Sequence, residues 1–85
     1  MNERMFTVMN QHGLHLRPAT EFVKLTSVFK GEVLLVKDDI EVNAKSILGL
    51  LSLGIESGAR VKIRLSGIDE EKFFEQLEEF FAKEE

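Results

Sequence analysis

The sequence predicts an α+β domain in which an antiparallel sheet carries helices on one face. Strand-like stretches alternate between apolar and polar side chains, most sharply over residues 60–66, so each strand buries one side only. Three other stretches carry apolar residues at helical spacing, and turn residues separate the two kinds of stretch. The predicted order is β-α-β-β-α-β-α, and the length suits a single domain over residues 1–85.

The first half of the chain contains three predicted strands and one helix. Residues 5–9 alternate as the first strand, and a helix follows from residue 16 to about residue 26. Residues 32–37 form the second strand, and an Asp-Asp turn leads into a third strand at residues 40–43. The buried stripe of the helix consists of Ala19, Phe22, Val23 and Thr26.

The second half contains two predicted helices on either side of the last strand. A Leu-rich run over residues 46–53 forms a short helix, and residues 60–66 form the fourth strand. Asp69 is the predicted N-cap of the last helix, with its side chain accepting from the first turn, and Ile68 and Phe73 have the spacing of a hydrophobic staple. The buried stripe of this helix consists of Phe73, Leu77, Phe80 and Phe81.

Composition excludes several classes of function. The chain has no cysteine, which rules out disulfides, thiol catalysis and Cys-based metal sites. The net charge of −4 is uneven: residues 69–85 carry eight acids and two bases, whereas residues 1–68 carry seven acids and nine bases. The mildly basic part suits acidic partner surfaces. Without a dense basic patch, Tyr or Trp, nucleic acid is not expected as a partner.

Targeting signals are not visible in the sequence. The N-terminus leads straight into a strand-like stretch, without the pattern of a signal peptide. No apolar run approaches the roughly 20 residues of a membrane span. We therefore expect a cytoplasmic protein with no direct insertion into a membrane.

The most informative segment is the run Gly13-Leu14-His15-Leu16-Arg17-Pro18-Ala19. Proline favours the first turn of a helix, so His15 is expected at a helix N-terminus, where unpaired N–H groups and the positive dipole end favour an anion. Arg17 can bind a phosphate through two parallel hydrogen bonds. Neutral imidazole is a competent nucleophile near pH 7. His15 is therefore the predicted acceptor of a phosphoryl group, with Arg17 neutralising its charge.

This segment closely resembles the signature of HPr, the histidine phosphocarrier of the bacterial sugar phosphotransferase system. A second signature of that family lies at Asn43-Ala44-Lys45-Ser46-Ile47-Leu48-Gly49-Leu50, and the resemblance covers the whole chain. The chain departs from the family signature at Leu16, which is bulkier than the Ala or Thr usual at that position. This difference is expected to affect the contact with partners more than the chemistry. The resemblance implies an open-faced β-sandwich, with a four-stranded sheet in the order 1-4-2-3 and three helices on one face.

The resemblance also implies what the protein does. It would accept phosphate on Nδ1 of His15 from Enzyme I and pass it to the IIA domain of a sugar permease. It is expected to be a carrier rather than an enzyme, to need no cofactor or metal, and to act as a monomer. Which sugar it serves is left open.

Ser46 has two interpretations that are compatible with each other. Serine before an apolar helical run is a favoured N-cap, worth about 1 kcal/mol. The context Lys45-Ser46-Ile47 also resembles HPr proteins of low-GC Gram-positive bacteria, in which HPr kinase/phosphorylase modifies this serine. A phosphate there would add about −2 charge near the partner-facing surface. The implied further partner is a catabolite-control transcription factor that binds the phosphoserine form.

The predicted partner surface is formed by residues of the first two helices. The short helix is apolar on most sides and cannot bury all of its side chains against one sheet face. By resemblance, Leu50 and Leu53 match core positions. The predicted partner contacts are Leu16, Thr20, Lys24, Ile47, Leu48 and Leu51.

Other interpretations remain beside these. His12 is expected to be a loop residue rather than a second acceptor, and with His15 it does not complete a metal site. A purely regulatory binding protein, acting through phosphorylated Ser46, is the main alternative to a sugar carrier. The presence of His15 argues against it, since relatives confined to that role have lost the histidine. A carrier of the nitrogen branch is a third possibility, and a purely structural module a fourth.

The uncovered face of the sheet raises a separate question. If Val33 and Leu35 point towards the helices, Leu34 and Val36 point to the open face. Such faces are usually polar. The stems of the strand-four cations could shield these side chains, or two molecules could pair face to face. We expect shielding, because like charges in strand four oppose pairing.

Overall fold

The computed structural model describes residues 1–83, and its elements follow the predicted order. The strands and helices are β1 Asn2–Thr7, α1 Leu16–Ser27, β2 Gly31–Lys37, β3 Ile40–Asn43, α2 Ile47–Ser52, β4 Arg60–Gly67 and α3 Glu70–Phe81. The strands form one antiparallel sheet in the order β1-β4-β2-β3. The predicted α+β open-faced β-sandwich with strand order 1-4-2-3 is therefore confirmed.

The first strand lies earlier in the chain than the sequence predicts. It was expected over residues 5–9 and runs over Asn2–Thr7, because its pairing with β4 begins at Asn2 opposite Leu65 and ends at Thr7 opposite Arg60. Val8 still bonds to the loop before β4, with its N–H donating to the carbonyl of Ala59 at 2.8 Å. The extent of an edge strand is set by its neighbour, and alternation within one strand does not reveal it.

One hydrophobic core lies between the sheet and the helices. The inward side chains of β2 and β4 are fully buried, as alternation predicts, and they are Val33, Leu35, Val61, Ile63 and Leu65. Phe22 of α1 and Phe74 and Leu77 of α3 close over them, and all three are fully buried. Phe74 was not expected in the core. It lies beside Phe73 on a stripe wide enough to bury both, with its ring 6.4 Å from that of Phe6.

The start of α3 differs from the predicted cap. Asp69 is the N-cap residue, but its backbone is left-handed, with φ 59°, and its side chain makes no cap hydrogen bond. Instead Glu70 reaches back, and its Oε2 accepts from the N–H of Gly67 at 2.9 Å. Ile68 remains 65% exposed, so it contributes little as a staple to the buried Phe73. The Glu70 carboxylate thus binds an N–H group that precedes the helix, and the predicted side-chain cap by Asp69 is not formed.

The open face of the sheet carries a chain of ion pairs across its strands. Leu34 and Val36 point to this face and are half-buried. Arg64 of β4 pairs with Glu41 of β3 at 2.9 Å, so its side chain crosses β2, and with Glu3 of β1 at 3.4 Å. Glu3 also pairs with Lys62 at 3.1 Å, so these carboxylates offset two of the cations of β4, Lys62 and Arg64. Charge repulsion between two such faces is therefore weaker than the sequence suggests, whereas the crossing side chain supports shielding, which stays a prediction.

The two long helices are amphipathic and of equal length. Helices α1 and α3 each have 12 residues, with one face in the core and the other exposed. Within residues 1–83, no helix combines the length and the apolar composition needed to cross a bilayer.

Candidate functional site

His15 lies where α1 begins, as predicted. It is the N-cap residue with extended backbone, φ −77° and ψ −174°, and its carbonyl accepts the first helical hydrogen bond from Ala19 N–H at 2.9 Å. Its imidazole makes no cap hydrogen bond and is exposed to solvent. The ring is therefore available to react with a group presented by another molecule.

The first turn of α1 favours an anion beside this ring. The N–H groups of Leu16 and Arg17 lie at positions that have no partner within the helix, and Pro18 contributes no N–H. The turn contains no acidic side chain, and the Arg17 guanidinium is exposed. Buried Pro18 and Ala19 fix the turn to the core. Two N–H groups, one guanidinium and the helix dipole can together offset the charge of a phosphoryl group.

The loop before His15 is fixed by a close backbone approach. Gly13 has φ 73° and donates its N–H to the carbonyl of Asn10 at 3.0 Å, while Leu14 donates to the carbonyl of Ile55 at the same distance. A Cβ on Gly13 would lie 2.2 Å from that Ile55 oxygen, so only glycine fits. Leu14 is buried. The sequence showed the glycine, but not that it approaches the backbone of the loop between α2 and β4.

A second imidazole lies beside the first. The ring centroids of His12 and His15 are 5.9 Å apart, with 71° between the ring planes. Both rings border an open groove of about 1210 Å³ between α1 and α3, together with Arg17 and Lys24. Sequence reasoning treated His12 as an ordinary loop residue, because spacing alone does not show that a turn brings the rings together.

The predicted contact residues of α1 differ in exposure. Leu16 is 61% exposed beside His15, and Lys24 is exposed on the same groove as Arg17. Thr20 is half-buried, and its hydroxyl donates to the carbonyl of Leu16 at 2.7 Å. Leu16 and Lys24 are thus available to a partner, whereas the Thr20 hydroxyl is already engaged.

Ser46 is the N-cap of α2. Its backbone is extended, with φ −111° and ψ 118°, and its Oγ accepts from the N–H of Gly49 at 3.1 Å. The side chain is half-buried rather than fully enclosed. The predicted capping role is present, and the hydroxyl lies at a helix N-terminus, where the fold tolerates a phosphate.

The segment before Ser46 is tied to α1. The Thr26 hydroxyl donates to the carbonyl of Ala44 at 2.8 Å, and the Lys45 ammonium donates to the carbonyl of Phe29 at 2.9 Å. Thr26 and Ala44 are fully buried. The position of Ser46 is therefore coupled to the same helix that begins at His15.

Helix α2 carries one large apolar residue that is mostly exposed. Leu48 is 80% exposed, while Ile47 and Leu51 are half-buried, and Leu51 packs against the edge of the core. Leu50 is fully buried and Leu53 partly so, in line with their predicted core positions. Helix α2 packs beside α1. A partner contact here would centre on Leu48, with Ile47 and Leu51 at its edge.

The ionisable groups with displaced pKa values lie away from this site. A backbone hydrogen bond from Gly67 lowers the pKa of Glu70, and a hydrogen bond from Lys62 lowers that of Glu3. Glu3 contacts Lys62 within the sheet, and Glu70 joins the start of α3 to the end of β4. Among residues 1–83, no three His, Asp or Glu side chains are placed to hold a metal ion.

Known proteins share both the sequence and the fold. The family model described as the PTS HPr component phosphorylation site matches residues 2–83. The HPr-like protein Crh of Halalkalibacterium halodurans is 42% identical over 84 residues, covering 99% of this chain and all of Crh. The structure of HPr-C-His from Thermoanaerobacter tengcongensis matches with a TM-score of 0.88 and 40% identity over the whole of both chains.

Crh of Bacillus subtilis provides a further structural comparison. Its crystal structure, described as a dimer with a swapped domain, matches with a TM-score of 0.75 and 38% identity over 96% of this chain and 94% of that one. The similarities extend over nearly the full length of the chain and include both signature segments. The chain therefore belongs to the HPr family of the phosphotransferase system, whose members carry phosphoryl groups rather than act as enzymes.

Proposed function

We propose that this chain is the phosphoryl carrier of a phosphoenolpyruvate-dependent sugar phosphotransferase system. It accepts a phosphoryl group on His15 from Enzyme I and passes it to the IIA domain of a sugar permease. The observation that carries the proposal is the exposed imidazole at the N-cap of α1, beside Arg17 and the free N–H groups of the first turn. The carrier works in the cytoplasm, where these partners meet it.

Each transfer exchanges one bond to phosphorus for another. The lone pair of an imidazole nitrogen of His15 forms a bond to phosphorus, while the bond from phosphorus to the donor breaks and its electron pair stays with the donor. Arg17 and the first-turn N–H groups offset the charge on the phosphoryl oxygens. In transfer to a IIA domain, the acceptor forms the new bond to phosphorus and the bond from phosphorus to His15 breaks. The site must therefore hold the phosphoryl group without burying it.

Exposure of the site agrees with a carrier that depends on partners. The imidazole is exposed on an open groove, and the exposed Leu16 of α1 and Leu48 of α2 offer apolar contact to a partner. Enzyme I and the IIA domain would each complete the transition-state geometry from their own side. A single surface that serves both partners in turn explains why the residues around His15 remain accessible.

Ser46 is the proposed regulatory residue. Its Oγ lies at the N-terminus of α2, and the segment before it is anchored to α1 through Thr26 and to the loop after α1 through Lys45. A kinase of the HPr kinase/phosphorylase type would add phosphate there without unfolding the helix. The added charge would weaken docking of acidic partners.

A regulatory binding protein is the second candidate, because two of the similar proteins are Crh, one of them described as a catabolite-repression protein. In that role, phosphorylated Ser46 would dock onto a catabolite-control transcription factor. The retained His15 favours the carrier. A nitrogen-branch carrier would use the same histidine with different partners.

One labelling experiment tests the carrier. The chain is incubated with Enzyme I and labelled phosphoenolpyruvate, and acid-labile phosphate is measured. We expect labelling of the wild type and of His12→Ala but none of His15→Ala, which should fold normally because His15 is exposed. Equal labelling of His15→Ala would overturn the assignment. Subsequent transfer to sugar-specific or nitrogen-branch IIA domains distinguishes the two branches.

A further inference from the structure

The two histidines of this chain are held as a pair by the backbone. His12 lies within a tight turn that the N–H of Gly13 closes on the carbonyl of Asn10 at 3.0 Å. The next residue is tied to the backbone at Ile55. Because a side chain at Gly13 would collide with that backbone, the turn has little freedom to move His12 away from His15. The backbone therefore places the two exposed imidazoles next to each other.

The separation of the rings suits a group held between them. Their centroids are 5.9 Å apart and their planes are inclined at 71°, so the rings are not stacked. A direct hydrogen bond would need two ring nitrogens within about 3.2 Å, which requires the ring centres to be closer. A tetrahedral phosphoryl group on one ring projects its oxygens beyond that ring. Such oxygens can come within hydrogen-bond distance of the other ring.

We propose that His12 donates a hydrogen bond to an oxygen of the phosphoryl group carried on His15. The inference rests on the proposed function of His15 and adds a second imidazole to Arg17 and the first-turn N–H groups. An imidazole N–H donates whether the ring is neutral or charged, and it binds an anion more strongly as imidazolium. His12 would touch the transferred group directly without becoming phosphorylated itself.

The charges around the groove make this contact favourable. The other ionisable side chains along it are Arg17, Lys24 and Lys83, opposed by Glu21 and Glu79. This set is nearly balanced before phosphorylation. A phosphoryl group with about −2 charge would make the groove anionic, and the imidazolium form of His12 would then be favoured. Proton uptake at His12 on phosphorylation is the expected signature.

The proposed hydrogen bond from His12 should change the stability of the phosphorylated carrier. A donor to the phosphoryl oxygens stabilises phosphorylated His15 relative to free His15, so it shifts the equilibrium of transfer towards the loaded carrier. We expect His12→Ala to be labelled, yet with the equilibrium ratio of loaded to free carrier lowered roughly three- to tenfold. His12→Asn, which retains an N–H donor without a titratable ring, should lose less.

The experiment follows His12 in the full chain by NMR. Titration of the His12 ring is recorded before and after phosphorylation by Enzyme I, and loading equilibria are measured for wild type, His12→Ala, His12→Asn and Gln11→Ala. Gln11→Ala is the matched control, because Gln11 is an exposed neighbour in the same turn. We expect the His12 midpoint to rise on phosphorylation, and Gln11→Ala to load like the wild type.

The outcomes separate this inference from the function on which it rests. If His15 is phosphorylated while the His12 titration and the His12→Ala equilibrium stay unchanged, His12 has no contact with the phosphoryl group and the inference is wrong. If Gln11→Ala lowers loading as much as His12→Ala, the turn rather than the imidazole is responsible. If His15 accepts no phosphate at all, the proposed function fails and the inference falls with it.

Discussion

The hydroxyl of Thr26 on α1 donates a 2.8 Å hydrogen bond to the backbone carbonyl of Ala44, and both residues are fully buried. Ala44 lies two residues before Ser46, and α1 begins just after His15. One buried contact thus joins the helix of the predicted phosphoryl acceptor to the segment of the predicted regulatory serine. A change in this contact should alter stability and the position of Ser46 together.

Replacing Thr26 by valine tests this contact. Thr26→Val keeps the shape of the side chain but leaves the Ala44 carbonyl buried without its donor. Because an unsatisfied buried polar group is costly, we expect the free energy of unfolding to fall by about 1–3 kcal/mol. Urea denaturation monitored by circular dichroism measures it.

Thr20→Val is the matched control for that variant. Thr20 lies on the same helix, and its hydroxyl bonds to the carbonyl of Leu16 at 2.7 Å, but the site is only half-buried and open to water. Its loss should cost less than about 1 kcal/mol. Equal losses for the two variants would show that burial of the Ala44 carbonyl contributes nothing to stability.

Two glycines with left-handed backbone allow the cost of backbone strain to be distinguished from the cost of a steric clash. Gly13 and Gly54 have φ 73° and 57°, but a Cβ on Gly13 meets the Ile55 oxygen at 2.2 Å, whereas a Cβ on Gly54 meets nothing within 4 Å. We expect Gly54→Ala to cost about 1 kcal/mol and Gly13→Ala roughly 3 kcal/mol or more. Thermal denaturation of the two variants compares them, and similar melting temperatures would contradict a fixed loop before His15.

The sequence predicted the order of elements because the periodicities are strong. In β2 and β4, alternation identified every inward residue, and the run ending in Pro18 and Ala19 identified where α1 begins. The strand order came from the resemblance to HPr, since alternation within strands says nothing about which strands are neighbours. The predicted acceptor His15 indeed lies at a helix N-terminus.

Tertiary contacts account for what the sequence did not predict. The extent of β1 depends on where β4 begins, and the pairing of His12 with His15 depends on a turn held against Ile55. At α3, Asp69 has a left-handed backbone and forms no side-chain cap, while the Glu70 carboxylate accepts from the N–H of Gly67 before the helix. Local sequence shows two adjacent carboxylates but not which N–H group each one reaches.

A negative charge at Ser46 should act on partners rather than on the fold. Asp remains a good N-cap, so Ser46→Asp should change the free energy of unfolding by less than about 0.5 kcal/mol. Its charge should lower the rate of phosphoryl transfer from Enzyme I by about three- to tenfold, because it repels an acidic partner. Rapid-quench transfer assays at low salt measure this rate.

Ser46→Asn is the appropriate control, since asparagine caps a helix and matches aspartate in shape without its charge. We expect its transfer rate to equal that of the wild type. If Ser46→Asp and Ser46→Asn behaved alike, or if Ser46→Asp transferred as fast as Ser46→Ala, the charge-based regulatory proposal would fail.

Stability should fall in acid because of two carboxylates at the sheet. The hydrogen bond from the Gly67 N–H lowers the pKa of Glu70, and that from Lys62 lowers the pKa of Glu3. Because the folded values lie below the unfolded ones, the unfolded chain binds more protons in this range. The stabilisation is complete above the unfolded pKa, about 4.3, and is lost as the pH falls through the lower folded values.

Urea denaturation between neutral pH and about pH 2.5 measures this dependence. Glu70→Gln should be less stable than the wild type at pH 7, with the difference shrinking in acid. Glu75→Gln, at an exposed position of the same helix, should be close to the wild type at every pH. A difference between Glu70→Gln and wild type that stays constant down to low pH would exclude a contribution from the lowered pKa.

The open face of the sheet should not pair with a second molecule. Arg64 of β4 pairs with Glu3 of β1 on one side and, across β2, with Glu41 of β3 on the other, so its side chain crosses the strand that carries the half-buried Leu34 and Val36. Pairing would have to displace this side chain and break its ion pairs. We therefore expect sedimentation at high concentration to give a monomer.

If a dimer does form, the double variant Leu34→Thr/Val36→Thr shows whether the open face of the sheet is its interface. A dimer that this double variant abolishes would overturn shielding and establish face-to-face pairing. A dimer that survives it would arise elsewhere, for example by exchange of a segment, as in the swapped Crh dimer of Bacillus subtilis. Arg64→Ala provides the opposite test: removing the crossing side chain uncovers the apolar pair, so self-association should increase if the arginine stem is what keeps the face unpaired.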